Sequence, residues 1–141
     1  MTAEEYLKQY NRIYDRVQII QKTLEQLRTD AESTSISLDG MPKGSNTNDR
    51  MARLAVKLVE YETELSAEMS ALWSKRMEII NTIGRLDHRH QLILFKRYIE
   101  RDAYGKELRW EQIAVDLGIT WRHCHRLHRR ALAELDKILT K

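Results

Sequence analysis

The chain has 141 residues, 42% of them hydrophobic and 32% charged, with one Pro, five Gly and a single Cys; this describes one or two small helix-rich units with few breakers. A lone Cys excludes an internal disulfide framework, and no apolar run is long enough for a membrane span. The acidic start MTAEEYLKQY lacks a signal-peptide core, so a cytoplasmic location is expected.

The net charge of +3 conceals an asymmetry. Residues 1–84 hold 11 Lys/Arg against 13 Asp/Glu, whereas residues 85–141 hold 13 against 8 and all five His. A near-neutral arm joined to a basic end places any polyanion contact at the C-terminal end.

Residues 2–27 read as the first helix. Thr2 followed by Glu5 has capping-box spacing. Tyr6, Tyr10, Ile13, Val17, Ile20, Leu24 and Leu27 recur at steps of 4 and 3, an a/d heptad seam. Such a seam needs a partner helix, in the same chain or in a second copy. Residues 31–47, AESTSISLDGMPKGSNT, interrupt the pattern and contain Pro42, Gly40 and Gly44. They read as a long loop that is either mobile or docked on the helices through Ile36, Leu38 and Met41. The spacing of a phosphate-binding loop is absent.

A second helix is expected from Asn48 or Asp49 to Ile83. Its stripe is Met51, Leu54, Leu58, Tyr61, Leu65, Met69, Leu72, Ile79 and Ile83, with Trp73 packing beside it. Two long helices with complementary stripes suggest an antiparallel, coiled-coil-like hairpin over residues 1–84; dimerisation through the same stripes is the competing arrangement. Gly84 to Asp87 marks the boundary. The next helix, residues 88–101, buries Leu92, Ile93, Phe95, Tyr98 and Ile99, and residues 102–109 form a polar connector.

Residues 110–135, WEQIAVDLGITWRHCHRLHRRALAEL, have the form of a helix-turn-helix. Gly118 stops the first helix in the left-handed conformation, and Thr120 caps the second. In the second helix Cys124, Leu127, Ala131, Leu132 and Leu135 form a buried stripe. Its first ten residues, WRHCHRLHRR, hold four Arg, three His and no acid. The planar fork of Arg suits guanine edges and phosphate. Trp121, Arg122, His123, His125, Arg126, Arg129 and Arg130 are therefore the candidate DNA-binding residues. Arg122, His125 and Arg126 are assigned to base edges, Trp121 to a thymine methyl or sugar, and Arg129 and Arg130 to phosphates. The rival reading is a solvated basic face on an ordinary pair of helices.

The stretch from Leu86 to Leu139, through LILFKRY, WEQIAVDLGIT and RALAEL, resembles the C-terminal domain of bacterial sigma factors that reads the promoter −35 element. The whole chain, with its long helical first half and GMPKGS loop, resembles phage-encoded transcriptional regulators of the ArpU/RinA type. The resemblance implies a transcriptional regulator of phage late or packaging genes in the bacterial host cytoplasm, with RNA polymerase as a partner. Trp121, His123 and His125 depart from the sigma pattern, so no operator sequence is implied.

His123, Cys124, His125 and His128 are close in sequence, but successive helical residues turn away from each other and no CxxC or HExxH spacing is present. No metal and no cofactor are expected. Without a nucleotide loop, a nucleophile elbow or a paired-acid site, no enzyme activity is expected either. The expectation is thus an all-α protein: a hairpin over residues 1–84 for oligomerisation or partner binding, and a helix-turn-helix DNA-binding domain over residues 85–141. Its partner is double-stranded DNA, with RNA polymerase or a second copy held through the N-terminal helices as the open options, and no membrane contact is expected. Two alternatives stand beside it: a small-terminase-like packaging protein, and a protein-interaction module that binds no DNA.

Overall fold

The computed structural model describes residues 1–38 and 45–141, excepting the side chains of 34–38 and 45–48. The protein is all-α, with helices α1 (Ala3–Leu38), α2 (Ser45–Ile83), α3 (His88–Tyr98), α4 (Trp110–Leu117) and α5 (Trp121–Leu139). Among the described residues there is no strand, only an isolated antiparallel bridge between Arg101 and Glu107.

Both long helices reach further into residues 31–47 than the composition suggests. The sequence reading places a loop at 31–47, whereas α1 continues to Leu38 and α2 starts at Ser45. Ser and Thr are weak helix formers but not breakers; the true breakers, Gly40, Pro42 and Gly44, all lie at 40–44. The expected docking of Ile36, Leu38 and Met41 lies outside the described residues.

The chain divides into two compact units. One joins Met1–Arg12 to Trp73–Lys141, and the other is Ile13–Leu72. The division differs from a sequence boundary at 84/85 because the ends of both long helices pack with the C-terminal helices.

In the unit Ile13–Leu72, Val17, Ile20 and Leu24 are buried. Arg16 pairs with Glu64 at 2.9 Å and Glu68 at 3.0 Å, and Arg28 pairs with Glu62 at 3.3 Å. These exposed ion pairs contribute little, about 0–1 kcal/mol each. Burial of the Val17, Ile20 and Leu24 side chains, worth roughly 1.5–3 kcal/mol apiece, is the larger effect. The middle of the α1 seam, Val17, Ile20 and Leu24, is thereby covered within the chain.

In the other unit, α1 begins with a reciprocal capping box. The Thr2 backbone N–H donates to Glu5 Oε2 at 3.0 Å, and the Glu5 N–H donates to Thr2 Oγ1 at 3.2 Å. The next free amide, on Ala3, donates to Asp136 Oδ1 on α5 at 2.7 Å. Leu7, Ile79, Ile93, Leu94, Ile99, Ile113, Cys124 and Leu135 are almost fully buried and form the core. On α3, Ile93, Leu94 and Tyr98 are buried while Leu92 and Phe95 are only half-buried. The expected core on this helix is thus rotated by one position toward Leu94. Trp73, expected to pack, is 64% exposed, with the Arg76 guanidinium 6.0 Å from its ring centroid.

Helix α4 ends in a Schellman-type turn. Gly118 has φ 67°, its N–H donates to Val115 O at 3.1 Å, and the Ile119 N–H donates to Ala114 O at 3.0 Å. No atom lies within 4 Å of a Cβ built at Gly118, so the cost of a side chain there is conformational rather than steric. Gly118→Ala is therefore expected to destabilise the protein by about 1 kcal/mol. Leu135→Ala, which opens a cavity at a fully buried site, is expected to cost about 2–5 kcal/mol. Urea unfolding of both variants measures the two values, and a Gly118→Ala loss as large as that of Leu135→Ala contradicts the turn assignment.

Candidate nucleic-acid interface

Helix α5 is oriented by its inward stripe. Cys124, Leu127, Ala131 and Leu135 are buried, at steps of 3, 4 and 4. With about 3.6 residues per turn, Arg122, Arg126 and Arg129 then fall on the opposite side, with Arg130 on its flank. All four are exposed. Among the described residues, none of the four has an ion pair or hydrogen bond through its guanidinium. Trp121, at the start of the helix, is 54% exposed, and His123 is half-buried.

The start of α5 is fixed by its cap. The Thr120 hydroxyl accepts a hydrogen bond from the His123 backbone N–H at 3.1 Å. This satisfies one of the open amides of the first turn and anchors the helix where Trp121 and Arg122 emerge. Behind the turn, Lys96 of α3 bridges to Asp116 of α4 at 3.3 Å while also pairing with Glu100 at 3.0 Å.

The histidines of α5 divide by environment. The His125 ring lies 4.6 Å from Trp110 and 4.2 Å from Trp121, centroid to centroid, and its Nε2 is buried without a hydrogen-bond partner. The ring assigned to a base edge is thus held between two indoles. Its packing supports Trp121 and the adjacent backbone. The His128 ring lies 4.6 Å from Trp110, and its Nε2 shares a 2.8 Å hydrogen bond with the Tyr98 hydroxyl. Arg97 closes this cluster from the other side. Its Nη1 donates to Leu108 O at 2.8 Å and its guanidinium lies 4.6 Å from the Trp110 centroid, a cation–π contact.

Burial is the main cause that pushes the His128 pKa down from 6.5 to about 4; the Glu4 carboxylate opposes the shift, and the Arg97 guanidinium and the neighbouring His125 reinforce it. Burial likewise raises the Tyr98 hydroxyl. His128 is therefore a neutral structural side chain at physiological pH. Burial also raises the pKa of the Cys124 thiol, which favours the protonated form. Among the described residues no group of three or more His, Cys, Asp or Glu is placed to hold a metal.

Sequence reasoning singled out the basic surface but not the Arg97–Trp110–His128–Tyr98 cluster beneath it. The signal was faint: one Arg, two aromatics and a His spread from 97 to 128. Comparison with protein-family models, curated proteins and solved structures gives no match to this chain.

The folded-state pKa of His128 lies below its unfolded value, so its neutral form favours folding. This contribution is fully present above about 6.5 and is lost as pH falls through about 4. Urea midpoints measured from pH 7.5 to 4 should fall over this window in the wild type. His128→Gln, which cannot be protonated, should flatten that part of the profile; an unchanged slope contradicts the assignment.

Proposed function

We propose that the protein is a sequence-specific double-stranded DNA-binding regulator of transcription, with α5 as the reading helix. One observation carries this reading. Four guanidiniums, of Arg122, Arg126, Arg129 and Arg130, stand exposed and without partners among the described residues on a helix fixed by the Gly118–Thr120 turn. Cations gathered on one face repel each other, and a row of phosphates relieves that repulsion while releasing counterions. The Cα atoms of Arg122 and Arg129 are about 10 Å apart along a helix with a 1.5 Å rise, a span that suits a major groove about 12 Å wide.

The roles follow from position. Residues at the start of a reading helix reach base edges, and those further along reach the backbone. Arg122 and Arg126 are assigned to base edges, Trp121 to a thymine methyl or sugar, and Arg129 and Arg130 to phosphates. His125 holds Trp121 in place, and His123 lies at the margin. The resemblance to sigma-factor domains and to phage regulators of the ArpU/RinA type supports a role at phage promoters, with RNA polymerase as a second partner. No catalytic step belongs to this reading. A single reading helix is a small reader, so a homodimer supplies the second one.

The test is binding to a duplex recovered from genomic DNA by the immobilised protein, measured against random duplex over a salt series. Arg126→Ala should weaken binding to the recovered site by about 1–3 kcal/mol and relax its sequence preference. Arg129→Ala should weaken binding to all duplexes and flatten the salt dependence. Equal losses on specific and random DNA for both variants refute this division of roles. Absence of salt-sensitive DNA binding in the wild type refutes the whole reading in favour of a protein-interaction module. A large ring in solution speaks for DNA packaging instead.

A further inference from the structure

We propose that the outward face of α2 within the unit Ile13–Leu72 is a homodimer seam, occupied by a second, antiparallel copy of this chain. The seam of α1 is not available for this purpose, because Val17, Ile20 and Leu24 are already buried. Helix α2 has a second apolar row. Ala52, Val56, Val59 and Thr63 follow one another at steps of 4, 3 and 4, the spacing of a helix–helix seam. All four are exposed, Val56 by 57% and Val59 by 62%. Scattered apolar residues on a surface are ordinary, but a row of them along one helix face is the pattern of an interaction surface. The Thr63 hydroxyl donates to Val59 O at 2.8 Å, so its hydrogen-bonding need is met within the helix and its methyl group completes the row.

The charges along the edge of the row identify the occupant. Arg53 and Glu60 are one heptad apart on the same side and both are exposed. Among the described residues, the Arg53 side chain makes one hydrogen bond, to the Asp49 carbonyl at 3.3 Å, and Glu60 has no ion pair. An antiparallel copy that sets Val56 on Val59 and Ala52 on Thr63 brings Arg53 of each chain beside Glu60 of the other, twice by symmetry. A parallel copy in register sets Glu60 beside Ala55 instead. The row is therefore self-complementary in both shape and charge, as a two-fold interface requires. Each dimer carries two α5 helices. Their use on two half-sites rests on the DNA-binding reading, whereas the dimer itself does not.

Sedimentation equilibrium of the full chain without DNA tests the seam. The wild type should approach twice its 16.8 kDa mass as concentration rises. Val56→Glu with Val59→Glu should remain monomeric at the same helicity by circular dichroism. Arg53→Glu should weaken the dimer at least tenfold, and adding Glu60→Arg to it should restore wild-type association. A monomer at every concentration, a larger assembly, or a dimer indifferent to these changes overturns the proposal. A dimer that fails to bind any DNA upholds the seam and overturns the DNA-binding reading alone.

Discussion

The inward stripe of α5 sets the direction of everything else on that helix. Cys124, Leu127, Ala131 and Leu135 are held against a core that includes Ile93, Leu94 and Ile113. A helix allows its faces no independent choice: once one is buried, the opposite one is fixed by the periodicity of 3.6 residues. The arginines point outward because the small and aliphatic residues between them point inward. The Trp110 ring adds a second constraint, since it packs on both His125 and His128 and is covered by Arg97. Rotation of α5 about its axis would break both sets of contacts at once.

This arrangement separates structural from available positive charge. Arg97 is committed to Trp110 and to the Leu108 carbonyl, Lys96 to Glu100 and Asp116, and Arg16 to Glu64 and Glu68. Arg122, Arg126, Arg129 and Arg130 have no such commitments among the described residues. His128, on the same helix, adds no charge because burial keeps it neutral. A count of basic residues therefore overstates the charge that a partner would meet, and the placement of the acids decides which remain.

Much of this was legible in the sequence because it depends on local rules. Gly118 and Thr120 adopt their roles for reasons contained within a few residues, and the stripe of α5 follows from a single period. The N-terminal part of the 31–47 segment has no breaker, so its loss of apolar pattern does not end α1, which continues to Leu38. The exposure of Trp73 and the clustering of Tyr98, Trp110 and His128 were not legible. They depend on which elements meet in space, and a ring at position 98 carries no mark of its partner at 128. The packing of residues 1–12 with the C-terminal helices was hidden for the same reason, since the Ala3 amide finds its acceptor 133 positions away.

The only sulfhydryl of the chain, on Cys124, lies at the pole of the α5 stripe and is fully enclosed. A maleimide or disulfide reagent reaches it only when α5 lifts from its neighbours. Alkylation of the unmodified protein therefore clocks the opening of the helix-turn-helix without any introduced label. Because the sulfur faces away from the guanidiniums, a ligand gripping the outer side would slow that reaction solely by holding the helix down, not by shielding the sulfur.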